Sequence, residues 1–423
     1  MASTHTDQSK IDNQQSKMSW LREAPPEARR ALLAASLGWM LDAFDVMLYA
    51  LVLATLMREL TMSASTAGLL GSITLIASAA GGLLFGVLAD RYGRTRTLVW
   101  SVLIYSVFTA ACGLAQSVAQ LAIFRVCLGL GFGGEWASGA ALVSETWPPE
   151  HRGKALGLMQ SSWAIGYGLA ALVTFLVLPR FGWRAVFFVG ILPAFFTLWI
   201  RRRVPEPELW QRARREPAAT RGNLAEIFRG PLARLTLWVT LMNACTMFAW
   251  WGFNLWIPAY LELPVERGGV GLGAAYRTTV LVIMQVGMWF GYVTFGYIGD
   301  RIGRKRAYVI YTLAAAALLL AYASTRIPLV LLALGPFLAF FGTGYFSGFG
   351  AVTAEIYRTS IRATAQGFTY NIGRIASAVA PFAVGSLAQT RGFSVAFTTA
   401  AVAFVLAAAA WAFIPETRGK ALQ

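Results

Sequence analysis

GVLADRYGRTR at residues 86–96 returns as GYIGDRIGRKR at 296–306, 210 positions later. Gly86, Asp90, Arg91, Gly93, Arg94 and Arg96 recur as Gly296, Asp300, Arg301, Gly303, Arg304 and Arg306. The same offset carries Gly134 to Gly344, Glu145 to Glu355, Arg152 to Arg362, Gly157 to Gly367 and Ile165 to Ile375. A single gapless offset over so many positions marks two copies of one unit.

Composition says what kind of unit. The chain has 423 residues, 57% of them hydrophobic, above the apolar share of soluble domains. Crossing a bilayer takes a helix of about 20 apolar residues. About twelve such runs are present, near 31–57, 67–89, 97–115, 119–146, 154–178, 184–200, 235–261, 276–299, 307–324, 328–355, 363–388 and 393–414. The expectation is an all-α integral membrane protein of twelve transmembrane helices in two six-helix pseudo-repeats. The expected layout is a cytoplasmic tail at 1–30, a bundle at 31–200, a cytoplasmic linker at 201–234, a second bundle at 235–414 and a cytoplasmic tail at 415–423. The linker, rich in Arg, Glu and Pro, is expected to hold a short amphipathic helix on the membrane surface. Residues 1–17 read as a disordered tail. The first 18 residues lack a cleavable apolar leader, so the first run is expected to start insertion itself.

The net charge of +16 follows topology and does not point to nucleic acid. Of 36 Lys and Arg, 27 fall on the side of the termini and 7 on the other, while Arg125 and Arg374 lie inside runs. That bias places both termini in the cytoplasm, with the chain in the plasma (inner) membrane and lipid as its surroundings. Cys112, Cys127 and Cys245 form no metal or disulfide pattern. No Ser/His/Asp set, metal cluster or phosphate loop argues for an enzyme.

An offset of six helices keeps both copies in the same orientation, so the halves are parallel repeats about an axis along the membrane normal. With the motif at 86–96 and its copy at 296–306, the chain resembles the major facilitator superfamily. Gly86 and Gly93 suit close helix approach and a tight turn. Asp90 closes the second run, where Arg94 or another helix N-terminus is within reach. Arg91, Arg94 and Arg96 offer partners to acids such as Glu145. The resemblance implies a cytoplasmic latch built from Gly86, Asp90, Arg91, Gly93, Arg94 and Glu145, with Asp300, Arg301, Arg304 and Glu355 in the second copy. The alternative is a static topology anchor.

Charges at membrane depth are costly and mark functional sites. Asp42, Asp45, Arg125, Glu135 and Arg374 qualify. Shifted by 210, they meet Gly252, Leu255, Gly335, Tyr345 and Ala164, so none is duplicated. Asp42 and Asp45 share one helix face, which Tyr49 continues. Two desolvated carboxylates one turn apart do not both ionise readily, which suits proton coupling. Glu135 is a second proton candidate or the partner of an arginine; the glycines around it permit close packing or bending. Arg374 can grip a carboxylate through two parallel hydrogen bonds or pair with Asp42 or Asp45. Arg125 is a further anion candidate. Asn371, Gln160, Asn243, Asn254 and Gln285 are cavity candidates, although helix-packing amides look the same. Trp250, Trp251 and Trp256 read as packing or interface residues.

LDAFDVMLYA, GLGFGGEWASGAALVSETWPPEHRGKALGLMQS, FGWRAVFFVGILPA and NIGRIASAVAP are similar to the sialate/lactate branch of metabolite:proton symporters. That resemblance implies proton-coupled symport, by alternating access, of a small organic anion such as lactate, sialic acid or an aromatic acid. The coupling ion is the proton, with no cofactor, and the chain is expected to act as a monomer. VPEPELW and PETRGKAL look like sugar-porter motifs, which keeps a sugar or polyol proton symporter as the alternative. A non-transporting receptor is a more distant one.

Overall fold

A computed structural model describes residues 20–206, 208, 211 and 224–418. The tail at 1–17 and linker residues 207, 209–210 and 212–223 lie outside the described residues. The chain forms α1 Pro26–Glu59, α2 Ala64–Tyr92, α3 Arg94–Cys112, α4 Val118–Thr146, α5 Pro149–Val189 and α6 Leu192–Arg203. After the linker come α7 Gly230–Asn254, α8 Ile257–Glu262, α9 Ala274–Ile302, α10 Arg304–Ser324 and α11 Pro328–Thr343. The last four are α12 Phe346–Ile356, α13 Thr359–Ser377, α14 Ala380–Arg391 and α15 Phe393–Ala410.

Ten segments are long and apolar enough to cross a membrane. One of them, His151–Thr197, is two crossings joined at Gly182. The stretch from α13 through α14 is broken at 378–379 and supplies the other crossing missing from the ten. Twelve crossings therefore run through the described residues. Large apolar side chains such as Leu83, Phe181, Leu329 and Phe337 stand more than half exposed on the outside, where only lipid makes such exposure inexpensive.

Helices extend beyond the apolar runs because their polar first turns lie outside the bilayer. α1 begins at Pro26, so the boundary drawn at residue 30 falls inside a helix. Between α6 and α7 the described residues hold a 3₁₀ turn at Leu224–Phe228, and Glu208 and Gln211 are helical. The rest of the stretch in which the amphipathic helix was expected lies outside the described residues.

The repeat is visible in the backbone. Gly93 and Gly303 take φ of 118° and 101°, and Gly182 and Gly392 take 75° and 82°. Only glycine adopts these values without strain, and each pair makes the same tight reversal in both halves. Gly86 serves no close approach: a Cβ there, or at Gly296, would meet nothing within 4 Å. Close packing comes from other glycines. Gly129 and Gly133 of α4 lie against the Thr74 and Ser78 carbonyls of α2, and Gly131 against α3. In the second half Gly287 and Gly291 lie against the carbonyls of Pro336 and Phe340. The halves differ in continuity. The second is interrupted after α7, α11 and α13, at 255–256, 344–345 and 378–379, where α1, α4 and α5 run unbroken.

The rim that carries the termini is tied by duplicated ion pairs. Arg94 pairs with Glu145 at 2.9 Å, and Arg304 with Glu355 at 3.4 Å and with Asp300 at 2.7 Å. Each pair stays within its own half. The Asp90 side chain lies outside the described residues. A second duplication follows the same offset. Glu206 accepts from the backbone N–H groups of Thr95 and Arg96, each at 3.1 Å. Glu416 accepts from those of Arg304 at 2.8 Å and Lys305 at 3.2 Å. These carboxylates satisfy donors that a helix start leaves open and face its positive end. Residues 414–418, after α15, therefore fold back onto the second motif.

On the opposite, far rim the halves meet. Ser65 N–H donates to Gln389 at 3.1 Å, Phe382 N–H to Ser72 at 3.2 Å, and Arg58 to Glu262 at 3.3 Å. Along this seam Gly68 packs against the Pro381 carbonyl.

Partial burial works to raise the Glu416 pKa, but four backbone N–H groups, of Arg418, Arg304, Lys305 and Thr417, outweigh it and hold the carboxyl below the ordinary 4.5. Its contribution to stability is then complete above the usual glutamate range and is lost as pH falls through and below it. Glu416→Gln should lower stability by about 1 kcal/mol at neutral pH, as loss of a helix cap does. Thermal unfolding in detergent checks this: the difference between the variant and the parent chain should shrink as the buffer is acidified below pH ~4.5.

Candidate functional site

The unduplicated charges converge where the halves face each other. Arg374, near the end of α13, is 3% exposed. Its guanidinium lies 5.2 Å from the Phe132 ring and 5.4 Å from the Tyr370 ring, and it shares a hydrogen bond with Tyr370. No carboxylate stands within ion-pair distance of it among the described residues, so the expected pair with Asp42 or Asp45 is not formed. Asp42 and Glu135 are nonetheless electrostatic neighbours of Arg374 and of each other.

All three acids are buried, and none of their oxygens has a hydrogen-bond partner among the described residues. Glu135 faces Gly38 of α1: a Cβ there would stand 2.5 Å from Oε1. Glycine at 38 therefore makes room for the carboxylate. Asp45 points the other way, toward the interruption between α5 and α6, where a Cβ on Gly190 would stand 3.0 Å from Oδ1. The neighbouring Thr109 hydroxyl donates to the Tyr105 carbonyl at 2.8 Å.

The cavity beside Arg374 is walled by aromatic rings. Trp39, Phe132, Gln160 and Trp163 come from the first half; Met247, Trp250, Trp251, Tyr292, Phe346 and Tyr370 from the second. The indoles interlock: Trp39 and Trp163 are 4.8 Å apart, Trp163 and Trp250 5.7 Å, Trp250 and Trp251 4.6 Å. The indole N–H groups of Trp39, Trp163 and Trp250 and the Gln160 carbonyl have no partner among the described residues. Buried polar atoms favour a hydrogen-bond partner, so these three donors and one acceptor are available to a molecule bound here. In the present conformation the free volume is about 40 Å³, room for a few waters. An organic acid needs the walls to part.

Gln160 and Arg374 thus reach the cavity as the sequence suggested. The remaining polar candidates do not. Arg125 lies 3.7 Å over the Tyr49 ring, with Nε 3.4 Å from the Leu70 carbonyl. The Tyr49 hydroxyl donates to Ala67 at 2.7 Å. These contacts settle both side chains inside the first half. Asn243 donates to the Thr369 carbonyl at 3.0 Å, Asn371 to Gly367 at 3.0 Å, Gln285 to Leu281 at 3.1 Å, and Asn254 contacts the Met47 sulfur at 3.6 Å. None of them lines the cavity, although the Gln285 side-chain carbonyl, like that of Gln160, has no partner among the described residues.

Trp250 and Trp251, read as packing residues, turn out to line the cavity; Trp256 does pack, donating to the Pro381 carbonyl at 3.0 Å. The missed aromatic residues carried a signal. Trp39 precedes Asp42 by three, Phe132 precedes Glu135 by three, Trp163 follows Gln160 by three and Tyr370 precedes Arg374 by four. Each shares a helix face with a polar residue of the site.

Known proteins share this architecture. The xylose transporter XylE of Escherichia coli, in a partially occluded inward-open conformation, superposes with a TM-score of 0.74 at 23% identity, covering 94% of this chain and 100% of that one. The cis,cis-muconate transport protein of Acinetobacter baylyi is 32% identical over 387 residues, 89% of this chain and 91% of the relative. The sialic acid transporter NanX of Escherichia coli is 30% identical over 392 residues, 91% and 94% respectively. The profile of the Major Facilitator Superfamily matches residues 35–276 and 270–423, and the chain belongs to that superfamily.

Proposed function

We propose that this chain is a proton-coupled symporter of a small organic acid, working by alternating access. The observation that carries this reading is Arg374: a guanidinium that cannot lose its charge, buried between the halves, with no carboxylate in contact. A substrate carboxylate is the partner its geometry lacks. The relatives named for cis,cis-muconate and sialic acid both concern carboxylic acids, which supports the class. The wall of indole and phenyl rings favours a flat, conjugated monocarboxylate over a polyhydroxylated one, because rings stack on such faces at little cost.

Coupling follows from shared compensation. Asp42 and Glu135 both look to Arg374 as the nearest cation. When a substrate anion takes the guanidinium, an ionised carboxylate beside it is left uncompensated in a medium that tolerates no lone charge. Uptake of a proton by one of these acids removes the difficulty. Loading one proton with one monoanion adds no net charge, so the loaded carrier reorients without moving charge across the membrane. The excess of Lys and Arg at the rim with the termini supports a cytoplasmic placement of that rim in the inner membrane.

In proteoliposomes, uptake of flat monocarboxylates such as benzoate or nicotinate should survive collapse of the voltage and stop on collapse of the pH gradient. Accumulation indifferent to the pH gradient would remove the proton from the mechanism, and preference for xylose over every acid in a panel would favour the sugar reading. Arg374→Lys keeps the charge and loses the fork; the KM should rise about tenfold, equivalent to about 1.4 kcal/mol, with the protein still folded by gel filtration. Asp42→Asn, tested alongside Glu135→Gln, separates the acids: the one that carries the proton should retain substrate exchange while losing pH-driven accumulation.

A further inference from the structure

A second cavity, of about 380 Å³, opens at the far rim between the halves. Arg58 and Glu59 reach it from the end of α1, Glu262 from the end of α8, and Arg277 from the first turn of α9. Glu262 holds an arginine on each oxygen: Arg58 on Oε1 at 3.3 Å and Arg277 on Oε2. Arg277 and Glu262 belong to the second half, so within this group of three Arg58 is the member that bridges the halves.

The two arginines are held differently. The Arg277 side chain is 6% exposed and the Arg58 side chain 59%. The Arg277 Nε is buried, at the cavity, without a hydrogen-bond partner among the described residues. Glu59, the other acid at the cavity, is engaged elsewhere: the Trp183 indole donates to it at 2.7 Å, and Arg184 stands 4.0 Å away. The Arg58–Glu262–Arg277 group therefore presents one positive charge in excess at a mouth the solvent reaches.

We propose that the far-rim cavity receives the carboxylate of an incoming organic acid, which Arg58 takes in exchange for Glu262. The proposal rests on the reading above that the chain carries such acids with this rim facing outward. Arg58 is the detachable member, since a half-exposed single-bond pair adds little stability. Its release strands no buried charge, because Glu262 stays neutralised by Arg277. The exchange also removes an ion pair that holds the halves together on this side. Arrival of the anion thus loosens the seam it must pass, and the excess charge draws anions to the mouth.

The test needs no known substrate. Ala274, exposed and lining the cavity, is replaced by Cys in the full chain whose Cys112, Cys127 and Cys245 are changed to Ala. The thiol is then treated in detergent with anionic sulfonatoethyl methanethiosulfonate or cationic trimethylammonioethyl methanethiosulfonate. The anionic-to-cationic rate ratio should exceed that of a free thiol, fall about threefold or more with Arg58→Ala, and return with Arg58→Lys. It should also flatten with added salt. A ratio equal to the free thiol's, or one that Arg58→Ala leaves unchanged, overturns the proposal. The thiol reads the rim alone and Arg374→Lys uptake reads the central site, so failure of one is distinguishable from failure of the other. Should the cysteine-free chain not fold, the salt dependence of benzoate-binding on-rates in the otherwise native chain decides, since Arg58→Ala must flatten it.

Discussion

A charge inside a membrane protein has no water to fall back on, and the structure answers that constraint in two ways. At the rims, charge is compensated locally and twice over. Arg94 with Glu145 and Arg304 with Glu355 repeat one solution, and Glu206 and Glu416 repeat another at the starts of α3 and α10. In the interior, Arg125 is settled by an aromatic face and a backbone carbonyl. Arg374, Asp42 and Glu135 are left near one another and out of contact. Full compensation there would lock the halves together, because Arg374 belongs to one and the acids to the other. Incomplete compensation gives the interface its dependence on what arrives.

The two cavities divide along the same principle. The central one is aromatic and nearly closed, with its polar atoms unsatisfied. The outer one is wider and charged, with its acids engaged. Arg58 at the far rim has Glu262 in contact, and Arg374 at the centre has no carboxylate in contact among the described residues.

The scaffold was legible in the sequence because it was written twice. The 210-residue offset located the motif and its echo, the even helix count and the charges that form the rim, and run lengths located the twelve crossings. The same offset also related Pro205 and Glu206 to Pro415 and Glu416, a relation that became visible only when both carboxylates were seen on helix starts. The site was legible through its charges and not through its walls. Asp42, Glu135 and Arg374 stood out since charge at membrane depth is rare. Trp39, Trp163, Trp250 and Trp251 did not, since aromatic residues are common in apolar runs and only side-chain direction separates lining from packing. The amides failed for the reverse reason: Asn243 and Asn371 are polar, yet backbone carbonyls within one or two helices already satisfy them. Gly86 repeats faithfully without touching anything, so repetition marked the motif as a whole and not each residue in it.

The interruptions in the second half have a mechanical consequence. A continuous helix bends only by breaking its own bonds, whereas an interrupted one has given some up, and at 378–379 a side chain has taken one over: Ser377 donates to the Arg374 carbonyl. The three interruptions follow α7, α11 and α13, close to Trp250, Phe346 and Arg374. The facing elements α1 and α4, which carry Asp42 and Glu135, have none. The first half has a break of its own, at 190–191 between α5 and α6, but none in α1 or α4. Asp42 and Glu135 therefore sit on unbroken helices, and the cation and most of the rings on or beside interrupted ones. A change in the shape of the cavity is then taken up on one side of the interface without disturbing the spacing of the acids on the other.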